Sequence, residues 1–272
     1  MITVDLRKRL AIVRIAVGLY AFGSITFGLG ELVRVASFPA SSFEPVGVVR
    51  VLAAPLPVWL VVAIAVASAL LAAATIVGAA YRIVAPLAAA GVLWTLGYRS
   101  SWGMLFHTDN LVALHLIALA VFARPSGDEV TARWGLRVVV AITCVTYVLA
   151  GIAKVRLAGL HWLSGDLLRD QIAFDNARKV LLGESPAPFA TLLLDHPAIL
   201  VGLSVATLVV ELGAPIALVG GTIARAWAVC AWCFHVGVVL TMNVWFPYPL
   251  LGVAFLPMFA VERLRLPTQL RV

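Results

Sequence analysis

Charge is what this sequence has least of. Only 12% of its 272 residues are Asp, Glu, Lys or Arg, about half the share of a soluble domain. With 62% hydrophobic residues and a mean hydropathy of +1.04, that scarcity argues against a soluble fold. It points to an all-α, polytopic integral membrane protein in a lipid bilayer. The net charge of +7 would suggest nucleic acid in a soluble chain. Here it fits arginines beside helix ends and anionic lipid, so no nucleic-acid partner is expected.

Cysteine is scarce too. Cys144, Cys230 and Cys233 all lie in apolar segments, which gives no extracellular disulfide framework. Cys230-Ala-Trp-Cys233-Phe-His235 departs from haem-attachment spacing, in which the histidine directly follows the second cysteine, and no metal is expected there. Phosphate loops, dinucleotide fingerprints and nucleophile elbows are missing, as are long-period repeats and an appended soluble domain. No paired broken helices mark a transporter. The first apolar stretch is too long for a signal-peptide core and lacks a small-x-small cleavage site, so it reads as a first span.

What is present is apolar runs. About 20 such residues cross a bilayer, and the sequence predicts about eight spans in one domain over 1–272: 10–30, 58–80, 83–98, 103–123, 138–154, 198–220, 223–242 and 244–261. The third is short and carries Pro86, which fits either a kink or little tilt, and the eighth opens on a Pro-Tyr-Pro break. Four prolines between residues 37 and 57 mark a loop. Residues 155–197 form the one long polar connection, in which Leu163, Leu167, Leu168 and Ile172 recur at helical spacing and predict an amphipathic helix. Eight spans put both termini on one side. More of the 20 basic residues fall there than opposite, Arg7, Lys8, Arg9, Arg82 and Arg225 among them. That side is cytoplasmic, and Lys154 with the long loop faces outward.

Ionisable residues inside spans are costly and mark functional sites by default. His107, Asp109 and Asn110 open span four, and His115 lies deeper. Glu211 lies in span six, His235 in span seven, and Asn243, Trp245 and Tyr248 follow at its outer end. Each has a plain reading: His115 as a packing histidine bonded across helices, Asp109 with Asn110 as a helix N-cap. Glu211 fits either a protonated carboxylate or the partner of Arg14 or a histidine. Lys154 is either a snorkelling lysine with its ammonium among headgroups or a base held neutral by desolvation in a pocket.

The run Tyr147-x-x-Ala150-Gly151-x-x-Lys154, followed by Trp162-x-x-Gly165, resembles the central signature of the HTTM (horizontally transferred transmembrane) family. That family shares its membrane portion with vitamin K-dependent gamma-glutamyl carboxylases. The histidine- and asparagine-bearing opening of span four, Glu211, and Phe234-His235 with Asn243 beyond it are similar to the family pattern as well. The resemblance implies that Lys154 is the base that deprotonates a vitamin K-like quinol at an outward site. Reaction with oxygen would then yield a strong base that abstracts a glutamate proton before CO2 adds. His107, Asp109, Asn110, His115, Trp162, His235 and Asn243 would line the cofactor. Two features depart from the carboxylases: Ala153 precedes Lys154 where a second lysine is usual, and the chain ends at Val272 without the large propeptide-binding domain, so full protein carboxylation by this chain alone is not expected.

The expected function is therefore binding and deprotonation of a lipophilic quinone-type cofactor in a bacterial cytoplasmic membrane. The alternative is a non-enzymatic accessory or scaffold for a secreted peptide or a membrane redox partner, in which residues 155–197 matter more than Lys154.

Overall fold

The computed structural model describes residues 5–103 and 107–264, with the backbone alone at His107 and Thr108. Among the described residues all regular structure is helical. The α-helices are α1 (Leu6–Ala36), α2 (Val58–Val77), α3 (Tyr81–Ser100), α4 (His107–Phe122), α5 (Glu129–Ala158), α6 (Asp166–Leu181), α7 (Ala190–Leu194), α8 (Pro197–Leu212), α9 (Gly221–Met242) and α10 (Pro247–Leu250). Four stretches among the described residues are long and apolar enough to cross a membrane: α1, α2, α9, and α5 with the turn that continues it to Ser164. In α4 and α8 the apolar stretches are shorter. The chain forms two compact units, Met1–Ile142 with Phe259–Val272, and Thr143–Met258.

In the first unit, α1 packs on α2, α2 on α3 and α3 on α4, and α4 returns to α1. Small side chains make this possible. Ala65, Ala69 and Ala72 line the buried face of α2, and Ala85, Ala88 and Ala89 that of α3. Where lipid lies outside, apolar burial gains little, and close backbone approach through small residues holds helices together. The α3 helix continues through Pro86 from Tyr81 to Ser100.

The proline-rich loop of this unit folds back on the end of α3. Phe43 packs 5.5 Å from Tyr98 and 5.1 Å from Trp102. Ser101 then accepts the loop's Glu44 N–H at 2.9 Å and Val46 N–H at 3.2 Å. At the other end of the unit, Arg9 grips both carboxylate oxygens of Glu262 at 2.7 and 2.8 Å. This contact holds the Glu262 carboxyl below the usual glutamate range. Between the fourth and fifth apolar runs the chain becomes helix at Glu129, because Asp128 caps the Thr131 N–H at 2.7 Å.

The second unit is built of interrupted helices. After Leu212, Gly213 and Pro215 end α8, and the chain continues as a 3-10 turn, Ala214–Val219; Pro215 has no N–H to extend the ladder. The stretch 244–261, expected as an eighth span, is not one helix. It forms α10 and a 3-10 turn, Val253–Met258, because Pro247, Pro249 and Pro257 interrupt the ladder.

Residues 155–197, expected as a loop with one amphipathic helix, are mostly helical. The expected amphipathic helix is α6, and Ile172 on its buried face packs with Ala187, Ala190, Leu193 and Leu200. Asn176 donates to Thr241 O at 2.9 Å and accepts from Ala187 N at 2.6 Å. Lys179 donates to Met242 O. A cation thus caps the carbonyl end of α9, where the helix dipole favours it.

Candidate functional site

The second unit holds the densest set of buried chemistry. On α5, Thr143, Tyr147, Gly151 and Lys154 recur every three or four residues and so share one face. On α8, Ser204, Thr207 and Glu211 form a second buried polar stripe. On α9, His235 sits at the end of a buried stripe with Trp227 and Ala231. Each stripe follows from helical period: polar residues at core spacing in an otherwise lipid-like helix turn inward together.

Gly151 lets two of these faces meet. A Cβ there would lie 2.7 Å from Leu212 Cδ2 and 3.1 Å from Glu211 Cβ, so any side chain would push α8 away. Gly165 allows a similar approach farther along the chain: its φ is +83° and a Cβ would fall 2.8 Å from Val201 N.

Across the Gly151 contact, Lys154 Nζ lies 2.5 Å from Glu211 Oε1. The lysine does not snorkel; its ammonium turns to a carboxylate whose side chain is 3% exposed. Trp162 walls the pair, with its ring centroid 5.4 Å from Nζ, within cation–π range. Its indole N–H is anchored on Ser204 O at 3.2 Å. The second Glu211 oxygen, Oε2, is buried and has no hydrogen-bond partner among the described residues.

Deeper along the same face of α5, Tyr147 Oη lies 2.6 Å from His235 Nε2. Trp227 and Phe255 pack edge-on and tilted against the tyrosine ring, at 5.1 and 6.3 Å. Phe246 packs on His235 at 5.2 Å. His235 Nδ1 is buried without a partner among the described residues. The unit therefore holds two proton-carrying pairs, Lys154–Glu211 and Tyr147–His235, each with one unpaired polar atom. Ser204 Oγ, on the same stripe of α8 as Glu211, is likewise buried with no partner among the described residues. Buried polar atoms normally find partners, so these three are left to be met by water or a ligand.

The remaining sequence candidates fall as follows. Asn243 caps α9 with φ +49° and accepts the Trp245 indole N–H at 2.9 Å, a turn-forming role. Cys230 and Cys233 are exposed while His235 is buried, so the three share no face. Asp109, Asn110 and His115 belong to the first unit, and the His107 side chain lies outside the described residues. Asp109 is not an N-cap: it sits inside α4 and pairs with Arg99 of α3. Asn110 is exposed. His115 is fully buried and hydrogen-bonded to the Val139 backbone, the packing role open to it from sequence.

Two features of the site escape the sequence reading. The sequence offers Arg14 or a histidine as the partner of Glu211, whereas the partner is Lys154. Tyr147 enters it only as a motif letter. Both carry a signal: Lys154 and Tyr147 are seven residues apart, two helical turns, and so face the same neighbours. No family model matches the chain, and no curated protein or solved structure matches it.

Proposed function

We propose that this chain is an HTTM-like helical protein of a bacterial cytoplasmic membrane. In this reading it binds a quinol-like lipophilic molecule at the second unit, on the outward side, and accepts a proton from it. The observation that carries the reading is the Lys154–Glu211 contact with its free carboxylate oxygen, beside Trp162. A quinol supplies acidic hydroxyl protons there and, with oxygen, a strong base. The residues present fit such a molecule: an orphaned acceptor, an amine and an indole face.

Lysine and glutamate can exchange a proton in a way arginine cannot. When Lys154 passes its proton to Glu211, an ammonium–carboxylate pair becomes an amine and a carboxylic acid, with no net charge created in a poorly solvated place. The amine then takes a hydroxyl proton from the bound molecule and becomes ammonium again. The proton gained by the protein rests on Glu211. Tyr147 and His235 offer a second hydroxyl–imidazole step for orienting the ligand or passing a proton on.

The test is purified full-length protein against Lys154→Ala and Glu211→Gln. Co-purifying lipophilic molecules are identified by mass spectrometry, and oxidation of added vitamin K hydroquinone in air is followed by absorbance. A retained quinone in the native protein, with oxidation lost in Lys154→Ala, is the expected result. Unchanged retention and unchanged oxidation in both variants would refute it.

One observation favours the accessory reading. Residues 155–197 are folded and expose Leu157, Leu160, Phe174 and Leu181, a surface that a secreted peptide or membrane partner could cover. A stable complex with a second protein, formed equally by Lys154→Ala, would support it.

A further inference from the structure

The first unit contains a cationic cleft that the proposed chemistry does not use. It is shallow, lies where the start of α1 meets the turn from α4 to α5, and is lined by Arg7, Arg14, Phe122, Ala123, Arg124 and Asp128 among others. Arg14 is its floor. It is 4% exposed and stacks 5.4 Å over the Tyr81 ring. Nη1 donates to Ala123 O at 3.2 Å, while Nε is buried with no partner among the described residues. A guanidinium so enclosed, with a donor unspent, calls for an acceptor.

The rim adds two more cations. Neither Arg7 nor Arg124 is in an ion pair among the described residues. Asp128, the acidic group of the cleft, spends one oxygen on the Thr131 N–H at 2.7 Å. That contact holds its carboxyl below the ordinary range, so it stays charged near neutral pH. Three guanidinium groups against one carboxylate leave the cleft with an excess of positive charge. The wall of Leu10, Ala11 and Phe122 is apolar. Planar guanidinium forks suit the oxygens of a phosphate group.

We propose that this cleft binds a phosphate group, with Arg14 below it and Arg7 and Arg124 at its rim. The chemistry is shared by two sources, the headgroup of an anionic phospholipid and free inorganic phosphate. The place of the cleft, at the ends of apolar helices in a membrane chain, favours the lipid.

The experiment uses full-length protein in mild detergent, read by native mass spectrometry and by melting temperature. Phosphatidylglycerol, diacylglycerol and inorganic phosphate are added separately. The native protein is expected to retain phosphatidylglycerol and melt higher with it, and diacylglycerol should do neither. Arg124→Gln and Arg7→Gln, at the rim where folding is not at stake, should each weaken retention roughly fivefold. Arg14→Gln should abolish it, and its melting temperature without lipid separates lost binding from lost folding. A rise with inorganic phosphate that the rim variants lose would assign the same cleft to free phosphate. Retention of phosphatidylglycerol that is equal in native protein and both rim variants would overturn the site. So would no preference over diacylglycerol together with no response to phosphate.

Discussion

Each unit buries an ion pair between helices, and the two pairs differ in kind. In the first unit Arg99 holds Asp109. In the second Lys154 holds Glu211. Arginine keeps its proton at any ordinary pH, so its pair is a fixed clasp, whereas a lysine–glutamate pair can move a proton between its members. The frames match this difference. The first unit is built from unbroken helices closed by alanine faces, whose polar groups tie loops and helix ends. The second is interrupted by Gly213, Pro215, Pro247 and Pro249, and its polar groups face one another with acceptors to spare.

The largest expected effect tests the second pair directly. Lys154→Met strands a carboxylate whose side chain is 3% exposed, whereas Glu211→Gln leaves an ammonium whose side chain is 24% exposed and can reach water or headgroups. The first should cost about 3 kcal/mol and the second clearly less, read from detergent unfolding curves. Equal costs would mean that the two groups are equally solvated.

The frame of the first unit should respond to volume rather than charge. Ala72 is fully buried on α2, and Ala72→Leu should destabilise by about 2 kcal/mol through overpacking. The same substitution at the exposed Ala63 should cost almost nothing. Thermal melts of the two variants check this.

Tyr147→Phe removes the hydroxyl from His235 and leaves a ring nitrogen buried and unpaired. A loss of about 1 to 2 kcal/mol is expected, with quinol turnover changed in its pH profile. A variant with native stability and a native profile would remove this pair from the site.

The smallest effect concerns a third pair, Arg9 with Glu262, whose side chains are 18% and 6% exposed. Arg9 holds the Glu262 carboxyl below its ordinary range, so the contact stabilises the fold above the unfolded glutamate value, about 4.3. That contribution is lost as the pH falls through the lower folded value. Glu262→Gln should cost about 1 kcal/mol at neutral pH, and the difference from native protein should vanish in acid.

Much of this was legible in the sequence, for physical reasons. Long apolar runs with few charges dictate membrane helices, and α1, α2, α5 and α9 follow from that alone. Ile172 at helical spacing with Leu168 disclosed the buried face of α6. Lys154 stood out because a cation is costly in an apolar setting, although that cost alone left snorkelling and a pocket both open. What stayed hidden was pairing. Nothing local in Glu211 says which cation it meets, because Gly151, on another helix, decides how closely α5 and α8 approach. Asp109 read as an N-cap because acid beside asparagine is a common helix start, but Arg99, ten residues earlier, captures it. The stretch 244–261 read as a span because hydropathy counts residues and ignores that three prolines lack the N–H a helix needs.

The central claim is that the Lys154–Glu211 pair handles protons and does not merely fasten α5 to α8. The double variant Lys154→Met/Glu211→Met tests it most directly, since replacing a whole buried pair with apolar groups of similar size leaves a fold intact or strengthens it. The account predicts a variant that melts at or above the native temperature yet oxidises vitamin K hydroquinone no faster than a protein-free control, while native protein does so measurably. A double variant with native stability and native turnover would contradict it.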